Sequence, residues 1–159
     1  MRGGWQTTLL VASLTMVAAG CGGRSSAVGS PDTPTARTAP SRVVYFSSSA
    51  PTAVGAHELL HDQGELSRFA QRVAARSPRT SEEIVAAGKA TDFSRSALVG
   101  WTAGTGCSAA TSASLVVSGS RLSLRVVQPD PPQECVRAFG MTAVFEVPKE
   151  KVPPHPAFG

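Results

Sequence analysis

The sequence predicts an α+β domain in which one or two N-terminal helices pack on a small antiparallel β-sheet of sandwich-like character, held by one disulfide. Helical periodicity comes first along the domain and alternating apolar runs follow it, an order typical of α+β folds. Two of the alternating runs are joined by a short serine–glycine turn, which predicts a hairpin and therefore antiparallel pairing. Two cysteines bracket that hairpin. We predict a single domain of this kind over residues 43–159.

The strongest local signal is a helix that begins after Asp62. The Asp62 side chain can accept a hydrogen bond from the backbone N–H of Glu65, and the Glu65 carboxylate can reach back, as in a capping box. We expect Ser77-Pro78 to end the helix, because proline disfavours the helical conformation in the residue before it. The apolar positions recur at spacings of three and four and form one stripe: Leu66, Phe69, Ala70, Val73 and Ala74.

A second, shorter helix is predicted from residue 80 to residue 88. Glu83 stands three residues after Thr80 and completes another capping pattern. Gly88 is the residue type that most often follows the last turn of a helix.

The second half of the domain is predicted to consist of strands. Residues 113–117 and 122–126 alternate between apolar and polar side chains, and Ser118-Gly119-Ser120 joins them as a hairpin turn. Residues 43–46 form an edge or opening strand in this prediction. Two further strands are expected at residues 97–102 and 141–147. The three large aromatic residues near these strands are predicted to be core residues rather than a ligand platform: Phe93, Trp101 and Phe145.

The beginning of the chain predicts an export signal that ends in a lipid-modified cysteine. Arg2 supplies a positive start, and the apolar run at 9–19 covers 11 residues, whereas a membrane-spanning helix needs about 20. Ala18-Ala19-Gly20-Cys21 resembles the lipobox of bacterial lipoproteins, with alanine at 18 where leucine is commoner. The resemblance implies that residues 1–20 are removed and that a diacylglyceryl group on Cys21 anchors the chain to the cell membrane, facing outside the cytoplasm. A plain secretory signal is the alternative.

Residues 21–42 are predicted to form a disordered tether, since serine, threonine, proline and glycine dominate them and little apolar surface is available to bury. The first 42 residues supply +3 of the net charge of +4, because the chain from residue 43 onward contains 11 basic and 10 acidic side chains. Four arginines between residues 68 and 79 fit the solvent face of a helix. We therefore predict no nucleic-acid partner.

Once Cys21 is assigned to the lipid, Cys107 and Cys135 remain. Outside the cytoplasm, a disulfide between them is the expected state. It would close a loop of about 29 residues and stabilise the fold by roughly 3–4 kcal/mol in the chain-entropy model.

One segment matches a metalloprotease motif. In H-E-x-x-H, two histidines one helical turn apart bind zinc and the glutamate activates water, and His57-Glu58-Leu59-Leu60-His61 has this pattern. The cap at Asp62, however, starts the helix after His61. We therefore expect residues 58–60 to form a strand or turn that leads into the helix. A zinc hydrolase that uses His57 and His61 is only an alternative, and no catalytic residue, metal or cofactor is predicted.

The order of these elements resembles PrcB-type C-terminal domains, small domains of bacterial lipoproteins and secreted proteins. The resemblance spans roughly residues 58–152 and is most specific at Asp92-Phe93-Ser94, a turn in which Asp92 and Ser94 can bond nearby backbone while Phe93 fills the core. Gly106-Cys107-Ser108 stands where that family carries a Gly-Gly-Tyr-like turn. The resemblance implies a non-catalytic domain that contacts other proteins at the cell surface.

The predicted function is protein binding or scaffolding at the cell envelope, without catalysis. An exposed strand or loop would offer its backbone for pairing with a partner, another envelope protein. A small-ligand-binding envelope module is the alternative, and it requires a concave apolar pocket with a few convergent polar groups.

Overall fold

The computed structural model describes residues 37–49, 55–135 and 137–159. The strands in these ranges are β1 (Arg37–Thr38), β2 (Arg42–Ser49), β3 (His57–Leu60), β4 (Ser96–Gly106), β5 (Ser112–Ser118), β6 (Arg121–Val127), β7 (Phe139–Pro148) and β8 (Ala157–Phe158). The helices are α1 (Gln63–Val73) and α2 (Pro78–Gly88), and a 3₁₀ turn at Lys149–Lys151 follows β7.

The strands form two four-stranded sheets. In the first, the helix-backed sheet, the strand order is β2-β7-β4-β3 and every pair is antiparallel. In the second, the outer sheet, the order is β1-β5-β6-β8, and the β6–β8 pair is parallel while the others are antiparallel. The domain is α+β as predicted, but it has two small sheets where the prediction has one.

The domain has three layers, the helices, the helix-backed sheet and the outer sheet, and an apolar core fills the space between each neighbouring pair. Strands β4 and β7 turn alternate side chains towards the two cores, and they are therefore buried along most of their length. The core between the two sheets includes Val99, Trp101, Leu115, Leu122, Met141 and Phe145. The core between the helix-backed sheet and the helices includes Leu60, Leu66, Phe69, Ile84, Leu98 and Val144.

Helix α1 forms as its capping residues predict. The Asp62 carboxylate accepts from the Glu65 N–H at 2.7 Å, and the Glu65 carboxylate accepts from the His61 N–H at 2.6 Å, one residue before the N-cap. The predicted apolar stripe is buried. The predicted end at Ser77-Pro78 is wrong, since the helix stops at Val73 with Ala74 as its C-cap.

Ser77 and Pro78 instead begin helix α2, two residues before the predicted start at Thr80. The Ser77 hydroxyl accepts from the Thr80 N–H, and Pro78 occupies the first turn. Proline is well tolerated there because the first helical N–H groups have no partner within the helix. The same proline that disfavours helix before it therefore starts the helix after it.

The folded domain begins earlier than predicted. The two residues of β1 pair with Val117 and Val116 of β5. Ala39 is buried and donates its N–H to the Leu115 carbonyl at 2.9 Å. Residues 37–42 thus belong to the domain and not to the tether, a boundary that composition hides because a two-residue strand shows no alternation.

The hairpin and the disulfide are confirmed. Ser118 pairs with Arg121 across a two-residue turn, in which Gly119 adopts a φ of 58° that favours glycine. A disulfide joins Cys107, directly after β4, to Cys135. The bridge therefore closes the excursion that the chain makes through the outer sheet between β4 and β7.

Candidate functional site

The H-E-x-x-H segment does not form the helix that zinc binding requires. Residues 57–60 are strand β3, with His57 opposite Trp101 and Glu58 opposite Gly100 on β4. Four residues along an extended chain span about 13 Å, against about 6 Å along a helix. His57 and His61 therefore do not share a helical face, and the predicted strand at residues 58–60 is confirmed.

The polar groups of this segment have structural partners. Glu58 forms an ion pair with Arg72 of α1. The His61 backbone N–H donates a hydrogen bond to the Glu65 carboxylate. Among the described residues, no three histidine, cysteine, aspartate or glutamate side chains come close enough to hold a metal ion. No observation on this segment favours the zinc hydrolase.

His57 takes part in an aromatic cluster at one end of the sandwich. Its ring centroid lies 5.2 Å from that of Trp101 and 4.9 Å from that of Phe158, and the Trp101 and Phe158 centroids are 5.6 Å apart. These residues lie on β3, β4 and β8, so the cluster links the two sheets on the side where β3 and β8 are edge strands. Trp101 is only 7% exposed, as predicted for a core residue. Phe158 was not predicted as part of a site, because β8 has only two residues and shows no alternation.

The Asp92 turn has the hydrogen bonds that its sequence predicts. The Asp92 carboxylate accepts from the N–H and the hydroxyl of Ser94 and from the Arg95 side chain. These bonds, with the Ser94 hydroxyl foremost, lower the pKa of Asp92 to about 2. Phe93 is half-buried against the core under the helices. The turn therefore sets the direction in which the chain enters β4.

The grooves on the described surface are open. A groove of about 400 Å³ runs along the outside of the helices, between Ser67 and Gln71 of α1 and Val85 and Lys89 of α2. Its lining residues are exposed or half-buried. A ligand site normally encloses most of its ligand and converges a few polar groups on it. This groove does neither, so it does not favour the ligand-binding alternative.

The long free edge of the helix-backed sheet is the feature most suited to binding. Strand β2 covers eight residues and pairs with β7 on one side. In the described part of the chain, no strand pairs with its other side. The remaining edge strands are short, with four residues in β3 and two each in β1 and β8. Residues 43–49 carry no charge and no proline, the usual means by which proteins protect such an edge.

The faces of β2 follow from its register with β7. Val43, Phe46 and Ser48 stand opposite β7 residues that face the core between the sheets, whereas Tyr45 and Ser47 lie on the helix side. A bulge between Val43 and Tyr45 interrupts the register. From Tyr45 to the end of the strand, the pairing is regular over five residues.

Two side-chain contacts among the described residues hold β2 near its two ends. Arg42 forms an ion pair with Glu146 at the start of the strand. The Ser48 hydroxyl accepts from the Ala110 N–H at 2.7 Å, which ties the strand to the chain leading into the outer sheet. Burial raises the pKa of the Tyr45 phenol. The hydrogen bond with Ser47 lowers this pKa in part, and the negative charge of Glu83 raises it further. The edge is therefore well positioned and electrically neutral.

The sequence predicted an edge or opening strand at residues 43–46, and the structure places β2 at a sheet edge. It missed the extension through the three serines at 47–49, because serine carries no strand signal. The predicted signal peptide, Cys21 and the tether up to residue 36 lie outside the described residues.

No protein-family model matches the chain, and no curated protein or solved structure matches it either. The resemblance to PrcB-type C-terminal domains therefore stays a prediction. Within the described residues, neither helix has the length and apolar character needed to span a bilayer.

Proposed function

We propose that this chain is a membrane-anchored lipoprotein whose folded domain binds other proteins at the cell envelope without catalysis. The lipid on Cys21 would hold it at the membrane, and the tether would give the domain reach. The lipobox-like residues 18–21 support the anchor. The domain itself supports the binding part, through the free edge of β2.

The observation that carries the proposal is the edge of the eight-residue strand β2, which no strand of the described residues covers. An exposed strand presents a row of N–H and C=O groups that an extended segment of a partner can satisfy. Backbone pairing of this kind gives affinity, and the alternate side chains give selectivity. Val43 is 43% exposed and Phe46 is half-buried on the sandwich side, so an added strand would find apolar side chains to cover there. We infer that a partner strand binds along β2.

Val43→Lys tests this binding mode. A lysine on an edge strand opposes the addition of another strand, because its charge would have to be desolvated. We expect the substitution to lower the amount of partner protein recovered by crosslinking and pull-down from the cell envelope by about tenfold, which corresponds to about 1.4 kcal/mol.

Val127→Lys is the matched control. Val127 is 53% exposed, and it lies at the end of β6 in the outer sheet, away from the β2 edge. Val127→Lys should retain the recovery of the unmodified chain. Equal recovery with both lysine variants would show that partners bind elsewhere.

Cys21→Ser tests the anchor. Without a thiol at residue 21 no thioether to a diacylglyceryl group can form, and stable anchoring of a lipoprotein depends on its acyl chains. We expect the variant to lose incorporation of labelled palmitate and to leave the membrane fraction. Cys135→Ser should keep the label. A Cys21→Ser chain that is still labelled would contradict the proposed lipidation.

A further inference from the structure

We propose that the strand added to β2 is β2 of a second copy of this chain. This inference rests on the proposed function and names the partner at the same edge. The two strands would run antiparallel about a two-fold axis perpendicular to the sheet. Two helix-backed sheets of four strands would then form one continuous sheet of eight, with the helices of both copies on the same side. An interface of this type is isologous, which is the commonest arrangement among homo-oligomers.

The charge pattern of β2 suits self-pairing. Antiparallel pairing of a strand with itself brings any charged residue near the axis close to its own copy, and directly opposed like charges are destabilising. Residues 43–49 carry none. The single charge of the strand, on Arg42, is already paired with Glu146 of the same chain. Self-pairing of β2 therefore carries no electrostatic penalty.

The register of β2 also suits self-pairing. The regular part of the strand begins at Tyr45, after the bulge, and covers five residues. With Ser47 on the two-fold axis, this whole segment pairs with its copy. Opposed residues then lie on the same face: Ser47 meets Ser47 on the helix side, and Phe46 meets Ser48 on the sandwich side. The bulge at residue 44 falls outside the paired segment.

A shared membrane would favour this association. Chains anchored through Cys21 are confined to one surface, and confinement raises the effective concentration of one copy near another. By contrast, residues 43–49 offer no charged group that would select a different protein. The observations therefore favour a second copy over a heterologous strand.

Ser47→Cys in the full, lipid-anchored chain tests the proposal. A residue on the two-fold axis lies opposite itself, with Cβ atoms about 4.5–5.5 Å apart, and a disulfide needs about 3.5–4.5 Å, within reach of small strand movements. Cys107 and Cys135 are already bonded to one another. Under mild oxidation in membranes, we expect most of the Ser47→Cys chain to run as a covalent dimer on a non-reducing gel.

Ser114→Cys is the control, because Ser114 is half-buried on β5, an inner strand of the outer sheet. It should remain monomeric under the same conditions. A folded Ser47→Cys chain that stays monomeric would overturn the proposal, and so would equal dimer yields from both variants, which indicate random collision.

A second measurement separates this inference from the proposed function. Light scattering of the unmodified chain in detergent should give the mass of two copies, and Ser47→Lys should weaken association about tenfold or more, because two ammonium groups would meet at the axis. If Val43→Lys abolishes the recovery of a different protein while the unmodified chain is monomeric, the partner is heterologous. The edge then keeps its function, but the second copy is ruled out.

Discussion

Replacing Cys107 and Cys135 together by serine is expected to lower the free energy of unfolding by about 3–4 kcal/mol. The bridge joins residues 28 positions apart and closes the excursion through β5 and β6. Without it, the unfolded chain gains the conformational freedom of that loop, whereas the folded contacts are unchanged. The effect is large for a single domain, whose total stability is typically about 5–15 kcal/mol.

Urea unfolding followed by far-ultraviolet circular dichroism measures this effect as a lower midpoint for the double variant. Reducing the unmodified chain should lower its midpoint to a similar value, and a reductant should leave the double variant unchanged. If the oxidised chain and the double variant unfolded at the same midpoint, the bridge would contribute nothing to the stability of the domain.

Phe69→Ala is expected to destabilise the domain by about 3–5 kcal/mol, the usual range for a fully buried phenylalanine. The Phe69 side chain is inaccessible to solvent and packs between α1 and β4. Its ring lies where a Cβ atom on Gly100 would stand, at 2.6–2.8 Å from three ring carbons. The absence of a side chain at residue 100 thus lets the helix approach the sheet.

A double-mutant cycle with Gly100→Ala tests this packing. Alone, Gly100→Ala should destabilise by about 1–3 kcal/mol, because the added methyl group collides with the ring. In the Phe69→Ala background, the methyl group meets a cavity instead and should cost little or restore stability. The two changes should therefore be non-additive, whereas an exposed control such as Ser112→Ala should add to Phe69→Ala independently. Additive losses from Phe69→Ala and Gly100→Ala would contradict the close approach of α1 to β4.

The part of the candidate site that the sequence could predict was the position of β2. Its four apolar residues at 43–46 predict a strand, and the preceding low-complexity segment puts that strand first in the domain. The sequence could not show whether another of the described strands covers its outer side, and none does. Sheet order depends on which distant segments of the chain pair with each other. The residues of β2 would have the same sequence pattern whether or not another strand paired with their outer side.

The H-E-x-x-H segment shows the limits of a motif. Its residue types suit zinc chemistry, but that chemistry needs a helix to bring the two histidines together. The cap at Asp62 already indicated that the helix starts too late. The aromatic partners of His57 could not have been predicted, because Phe158 lies about 100 positions further along the chain.

By itself, the sequence determined the α1 helix, the β5–β6 hairpin and the pairing of Cys107 with Cys135. The α1 helix depends on side chains within one or two helical turns of each other, and the hairpin depends on a two-residue turn. The cysteine pairing follows by elimination once Cys21 is assigned to the lipid. The tertiary structure alone decided that there are two sheets, that β1 and β8 complete the outer one, and that the domain begins before residue 43. Strands of two residues have no periodicity of their own and exist only because a longer strand beside them supplies hydrogen-bond partners.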